Sequence, residues 1–391
     1  MKRNRALYIC LLSFSLALVL LSGSKAACVT FYTMLLLPAV SAFLGRYFLR
    51  ALAVKQSLDR DLVLKGEQTV FRISVLNQSP LFNPNVLFIF SEGHFAIDSS
   101  ARNTAVTFRP KALRDLEFTL SCKYRGAYDI GARAIQTKDF LGLWNLSVPL
   151  KDNARLTVYP RVIEIHKFPL SMNLLSKAFS RYDVRSEDYS TVSDVRPYEA
   201  SDSVKKIHWK LSAKRGELIV KNYETSAMNS IALFMDTRKS GASPAESLAV
   251  EDKMAEIAVA IGYYCLRKQL PIEFRYGAGR RLSAANIMDF EKLYSICAHM
   301  DFDEEDELDG RIPAFLNEQT NPLNLIFITP HMSDRLLNEL VNAWHFGHHV
   351  VSVYVPPTLE DEKERRVFSL LAEAGMPCFY VRAEDEIVDI F

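Results

Sequence analysis

Four carboxylates, Asp183, Glu187, Asp188 and Asp194, gather in the polar stretch 180–202. Paired acids of this kind are the groups a hydrolase uses for general acid–base work. They lack the companions that would make the reading strong: there is no Gly-x-Ser-x-Gly and no cysteine signature for a nucleophile. A phosphate-binding loop is missing too, because GAGRR at Gly277 follows an apolar run but lacks the Gly-Lys-Ser/Thr ending. His345, His348 and His349 cluster as HFGHH, a set that suits zinc or nickel, yet Gly347 ends a helix between them and sends the histidines in different directions. DFDEEDELDG, Asp301 to Gly310, has neither the glycine at position six nor the glutamate at position twelve of a calcium loop, so it reads as a solvated acidic loop. The expectation is a protein with no cofactor and no catalytic centre, with a hydrolase built on the 180–202 loop as the alternative.

The densest cationic stretch is KKIHWKLSAKRGELIVK, Lys205 to Lys221, with six basic residues, one acid and one tryptophan. Val204, Ile207, His208 and Leu211 fall at i, i+3, i+4 and i+7, one face of a short helix. Ser201, Asp202 or Ser203 would cap its start and Gly216 would close it. Lys214 and Arg215 then occupy the last turn, where the helix dipole favours cations. Nucleic-acid binding would interleave several aromatics with the cations, and the whole chain carries a net charge of only +1, so no nucleic-acid partner is expected.

The elements around these residues fall into blocks. MKRNR precedes Ala6–Gly23, which holds no charge; after Lys25 a second uncharged run, Ala26–Gly45, is followed by Arg46, Arg50 and Lys55. Each run approaches the ~20 helical residues that cross a bilayer. The cations lie outside the pair, which predicts a helical hairpin over 1–55 in the plasma membrane with both ends, and the soluble domains, in the cytoplasm. Cleavage near Ser24-Lys25-Ala26 is the rival reading, although Lys25 stands where a lipoprotein signal before Cys28 wants an aliphatic residue. Six scattered cysteines with no CxxC suit a reducing compartment.

Over 56–160 the pattern has period two, as in Phe71, Ile73 and Val75 alternating with Arg72 and Ser74. About seven short strands punctuated by turn signals predict an immunoglobulin-like β-sandwich. Residues 161–229 read as a connector carrying the basic stretch. From 230 to 391, apolar runs such as SIALFMD and LNLIFIT alternate with helices starting near Ser243, Ser283, Ser333 and Thr358, the pattern of an α/β domain with a mostly parallel sheet covered on both faces.

The run DVRPYEASDSVKKIHWKLSAKRGELIVKNYE resembles the signature of the bacterial domain-of-unknown-function family fifty-eight. Its arginine, tyrosine, Gly-Asp, Ile-x-Trp and Ala-Arg/Lys elements fall here on Arg196, Tyr198, Ser201-Asp202, Ile207, Trp209 and Ala213-Lys214, with Ser201 in place of the glycine. RGAYDIG, DFLGLW and the strand LTVYP resemble its upstream elements. The resemblance implies a membrane-anchored protein with a sandwich and a von Willebrand factor A-like (Rossmannoid) domain. Such proteins are encoded beside AAA+ ATPases of the MoxR type, with which they are thought to assemble or remodel other proteins. It also implies a place to look for magnesium, an Asp-x-Ser-x-Ser after the first α/β strand. Asp236 and Ser240 match the outer ligands, but Arg238 replaces the middle serine. Pro330-His331 stands where a second acid is wanted, so a loop without metal is expected. The reading as a whole is a scaffold or adaptor joining the bilayer to an ATPase or a neighbouring membrane protein. Arg196, Tyr198, Asp202, Trp209, Lys214 and Arg215 form either its docking surface or a clasp between its domains.

Overall fold

In this computed structural model the chain divides into two compact units, Met1–Pro160 and Arg161–Phe391. The structure describes residues 2–90, 95–97, 105–175, 192–197, 207–223, 231–240, 243–305, 307–319, 321–357 and 362–391.

Two helices open the first unit, α1 (Lys2–Ser22) and α2 (Lys25–Arg50), both long and apolar enough to cross a membrane. The turn between them is tight because Gly23 takes φ +58°, where a side chain would be strained, and the Ser24 hydroxyl accepts from the Ala27 amide to cap α2. The hairpin does not stop short of the sandwich. Phe48 and Leu49 are buried at the end of α2, and β1 begins at Leu52, ahead of the boundary expected at residue 56.

The sandwich strands are β1 (Leu52–Leu58), β2 (Leu62–Leu64), β3 (Gln68–Asn77), β4 (Asn83–Phe90), β5 (Phe95–Ile97), β6 (Val106–Phe108), β7 (Leu113–Cys122), β8 (Gly126–Ile130), β9 (Ala132–Lys138), β10 (Asn145–Pro149) and β11 (Ala154–Tyr159). They form sheets of order β1-β3-β7-β5, β10-β9-β4-β6 and β2-β11-β8, more strands than the expected seven. On β3 the period-two reading holds residue by residue. Phe71, Ile73 and Val75 are fully buried, while Arg72 faces outward and pairs at 2.7 Å with Glu117, its register partner on β7. Asn77 is fully buried: its amide nitrogen donates to the carbonyls of Leu81 (2.9 Å) and Arg109 (3.0 Å), and its Oδ1 accepts from the Ser79 amide and hydroxyl. Asn77 is therefore an internal turn-former.

The second unit opens where a connector was expected, but residues 161–175 are not a bare linker. Ile163, Ile165, Phe168 and Leu175 are buried in the larger α/β core. β12 (Val192–Pro197) pairs antiparallel with β13 (Ile219–Tyr223), and between them α3 spans Trp209–Arg215. This helix is shorter than its sequence periodicity predicts. Ile207 is held in a bridge to Val220, and His208, not Ser201–Ser203, is the cap, its Nδ1 accepting from the Leu211 amide at 3.3 Å. Gly216 closes the helix as expected, at φ +74°, with its amide donating to the Ser212 carbonyl.

The large sheet consists of β14 (Ile231–Met235), β15 (Ile272–Tyr276), β16 (Arg280–Ala284), β17 (Asn324–Thr329), β18 (His349–Tyr354) and β19 (Cys378–Tyr380), in the order β16-β15-β14-β17-β18-β19. All neighbours are parallel except the edge pair β15 and β16. Along β14, Ile231, Leu233 and Met235 enter one core and Ala232 and Phe234 the other, which is why the strand is apolar without alternation. α4 (Pro244–Arg267) and α5 (Phe290–His299) cover the first face; α6 (Leu308–Glu318), α7 (Asp334–His345) and α8 (Glu362–Glu373) cover the second. The helix expected from Ser283 is instead the end of β16 followed by a short 3₁₀ turn and α5. The acidic stretch 301–310 runs into α6, a helix its charge density concealed.

Candidate functional site

Open α/β sheets bind ligands beyond the carboxyl ends of their strands, at the point where successive connections leave in opposite directions. Here that point lies between β14 and β17, because the chain leaves β14 toward β15 and leaves β17 toward β18. Asp236 follows β14 directly and Thr329 ends β17; the Thr329 hydroxyl donates to Asp236 Oδ2 at 2.7 Å.

Arg238 closes the rest of that carboxylate. Its Nε lies 3.0 Å from Asp236 Oδ1, its terminal nitrogen 2.8 Å from Oδ2, and its own amide donates to Oδ1 at 3.2 Å. Burial is the largest single influence and works against the guanidinium charge, but the hydrogen bond and charge of Asp236, with Glu307 and Asp309 adding in the same direction, together raise the arginine above its ordinary value. Asp236 itself is 2% exposed. The residues present do not fit a magnesium site: hard-cation ligation needs free carboxylate lone pairs, and those of Asp236 are taken by a cation of the chain's own. The outer residue, Ser240, turns to the Ser247 hydroxyl of α4 at 3.0 Å and so ties the loop to a helix.

A second pair extends the cluster. His331 has both ring nitrogens against acceptors: Nε2 is 2.8 Å from the Lys239 carbonyl and Nδ1 3.5 Å from Glu364 Oε1. A ring that donates from both nitrogens is an imidazolium. Burial opposes that charge, yet the Glu364 and Lys239 contacts raise the histidine above 6.5. Burial likewise opposes the Glu364 charge, but His331 and the Tyr354 hydroxyl, 2.6 Å from Oε2, hold it below the usual carboxylate range. The loop after β15 joins through Glu304, which lies 3.4 Å from Arg311, while Arg311 donates to the Gly277 carbonyl. Gly277 has φ +52°, and a Cβ there would stand 3.1 Å from Glu304 Oε1, so glycine is favoured.

Beside this network, Glu305, Glu307, Asp309, Gly310, Arg311 and Arg335 line an open cleft of about 540 Å³. Asp309 is the odd group in it. Both its oxygens are buried with no side-chain hydrogen-bond partner among the described residues, and burial, then Glu307, raises its acid above the ordinary value, with the Gly310 amide acting the other way. The solvated loop expected over 301–310 is thus in part a helix start, and the local signal for it is Leu308 and Ile312 at helical spacing after the acids.

The other candidate residues are scattered more widely. Trp209, the first residue of α3, is 61% exposed, and Lys214 and Arg215 in the last turn are exposed as well. The backbone of Arg196 lies in β12 opposite Val220, and its side chain lies outside the described residues, as do Tyr198, Asp202, Asp183, Glu187 and Asp188. Asp194 is placed only by its backbone, opposite Asn222. Burial pushes the Cys265 thiol up to about 12 and those of Cys122 and Cys378 up to about 11, which disfavours the thiolate at these three positions. In HFGHH, His345 is exposed in the last turn of α7, His348 is buried with its Nδ1 accepting from the Leu323 amide, and His349 Nε2 lies 2.7 Å from the Pro169 carbonyl.

A third charged group lies deeper in α4, where the sequence offered no functional pattern. Glu256 is fully buried and meets Arg161 at 3.0 Å and Lys253 at 3.5 Å, and Lys253 also donates to the Asp385 carbonyl at 2.7 Å. These contacts tie the irregular segment that opens the unit, the helix and the C-terminal turn together.

Residues 194–269 match the family model described as "Protein of unknown function DUF58", so the resemblance carried by the basic stretch is met on that segment, which contains α3, β14 and α4. Among curated proteins the chain is similar to the uncharacterized protein YeaD of Bacillus subtilis (strain 168), 23% identical over 224 residues, 54% of this chain and 54% of the relative. The chain thus spans about half the length of the curated relative it matches. Solved structures with local likeness include the cupredoxin domain of amoB from Nitrosocaldus yellowstonii (10% identity, 30% of this chain, 97% of that chain, TM-score 0.20). Another is the sporulation control protein Spo0M from Bacillus subtilis (14% identity, 38% of this chain, 58% of that chain, TM-score 0.18). Likeness at that level says nothing of how this chain works.

Proposed function

We propose that this protein is a two-pass, membrane-anchored adaptor, with an immunoglobulin-like sandwich and a von Willebrand factor A-like α/β unit in the cytoplasm, and that it performs no catalysis of its own. Its partner is an AAA+ ATPase of the MoxR type or a neighbouring membrane protein, engaged in assembling or remodelling a protein complex. The ATPase side of this reading rests on the family resemblance. The observation that carries the adaptor role is the surface of α3 within the family-matched segment: a tryptophan 61% exposed, next to the exposed cations Lys214 and Arg215. Trp and Arg are the side chains that most often anchor protein interfaces. The strand-end network supports the same reading, because Arg238 occupies the carboxylate that a metal-dependent ligand site would need free.

Detergent pull-down with mass spectrometry, comparing the intact protein with Trp209→Ala and with Lys214→Ala/Arg215→Ala, tests it. The expected result is a co-purifying ATPase or membrane protein that is lost from variants whose thermal unfolding is unchanged. Partners retained by both variants would remove α3 from the interface. A hydrolytic activity of the purified chain, abolished by Asp183→Asn or Glu187→Gln, would replace the adaptor reading altogether.

A further inference from the structure

The turn Asp139–Trp144 sits where both apolar helices meet the sandwich. On α2, the Ser41 hydroxyl donates to Asp139 Oδ2 at 2.9 Å, and Gly45 lies so close to β10 that a Cβ would stand 2.5 Å from Leu146 Cδ1. On α1, Arg5 Nε donates to the Leu143 carbonyl at 2.8 Å, and the guanidinium stands over the Trp144 ring, 5.6 Å from its centre. The turn is built for this contact. Asp139 Oδ1 accepts from the Trp144 amide at 2.7 Å, and Gly142 has φ +67° with Asn4 Nδ2 2.6 Å from where a Cβ would be. The carboxylate is 4% exposed, whereas Phe140 and Trp144 are 60% and 48% exposed.

Resting on the membrane-anchored reading above, we infer that this turn is the seat on which the sandwich meets the lipid surface, with Phe140 and Trp144 in the headgroup layer. Length decides the level. From Lys25 to Val40, the part of α2 clear of the sandwich, sixteen residues rise about 24 Å at ~1.5 Å per residue. The hydrocarbon core is ~30 Å thick and the interfacial layers carry the bilayer to ~40–45 Å. A hairpin with its Gly23 tip at the far boundary therefore leaves the near boundary about one turn beyond Val40, level with Ser41–Gly45 and the turn docked against them. Residues at that level have interfacial chemistry. Phe43 and Tyr47 are exposed on α2, the Trp144 ring is amphipathic, and Arg5 carries its charge on an apolar stem. The acid that would repel anionic lipid is turned inward onto Ser41. Lys2, Arg3 and Arg5 stand in the first turn of α1, the end where the helix dipole disfavours cations, and lipid phosphates at this level offset that penalty.

The chain has three tryptophans, Trp144, Trp209 and Trp344, so fluorescence can locate one at a time. The full-length Trp209→Phe/Trp344→Phe protein is reconstituted in phosphatidylcholine–phosphatidylglycerol vesicles whose acyl chains are brominated either near the glycerol or near the methyl end. Vesicle flotation is run on the same sample. The expected result is about a twofold loss of Trp144 emission with the shallow label and a smaller loss with the deep one. Arg5→Ala should weaken the shallow quenching by freeing the indole. Flotation without quenching of Trp144 overturns the seat and leaves the anchor standing; failure to float overturns both.

Discussion

Two charged regions of the α/β unit treat their side chains in opposite ways. At the strand ends, Asp236, Arg238, Thr329, His331 and Glu364 satisfy one another within a few ångströms and are largely withdrawn from water. On α3, Trp209, Lys214 and Arg215 face solvent. A buried pair whose lone pairs are filled has already offset its desolvation, and a partner could add little to it. An indole 61% exposed still has apolar area to bury, worth on the order of 2–3 kcal/mol before ordering costs. The first region thus holds the fold and the second is where affinity can still be gained.

The sharpest way to break that contrast is Arg238→Ala, which strands the Asp236 carboxylate in a site 2% exposed. A loss of about 3–5 kcal/mol is expected in urea unfolding, with a large part recovered in Asp236→Asn/Arg238→Ala because no buried charge is left unpaired. A loss below about 1 kcal/mol in the single variant would show that the strand ends are not structural. Gly277→Ala comes next, at about 1–2 kcal/mol, since its φ of +52° is disfavoured for any side chain and Glu304 stands in the way.

Smaller still is the pH dependence of the His331–Glu364 pair. The raised histidine contributes stability that is complete below its ordinary 6.5 and is lost as pH rises through the raised value. The lowered glutamate contributes above its ordinary 4.5 and loses that contribution as pH falls through the lowered value. Both are present between about 4.5 and 6.5, so unfolding midpoints should fall from pH 6 to pH 8.5 in the native protein and fall less in His331→Gln. An unchanged slope in the variant would mean that the histidine is not a cation there. The smallest stability effect belongs to Trp209→Ala and Lys214→Ala/Arg215→Ala, each within about 0.5 kcal/mol, as befits surface positions. Their partner capture should nonetheless drop about tenfold, and a stability loss of several kcal/mol would turn α3 into a structural element.

Local patterns in the chain carried much of this architecture. The uncharged runs marked α1 and α2, period two marked β3 and β7, and Ser243-Pro244 marked the start of α4. Gly216 marked the end of α3, because only the residue itself decides whether φ can be positive. What escaped was nonlocal. The start of α3 moved from Val204 to Trp209 because Ile207 is held by Val220, thirteen positions away. Residues 161–175 looked like linker because a few apolar residues without period reveal nothing of the core they enter. Of the candidate site, Arg238 was visible as the wrong residue for a metal, while the histidine–glutamate pair was not, since His331 and Glu364 lie on different elements.

By itself the sequence determined the order and kinds of elements: a hairpin of apolar helices, a block of alternating strands and a block of strands and helices. These follow from spacing, cap residues and unbroken apolar length, which act within a turn or two of chain. Only the tertiary structure decided that Asp139 turns inward to Ser41, that Glu256 is buried against Arg161 and Lys253, and that Arg238 fills the carboxylate of Asp236. Ser41 and Arg161 come to their acids from distant parts of the chain, and even Lys253 and Arg238, three and two residues from theirs, pair with them where the packed core withdraws both charges from water.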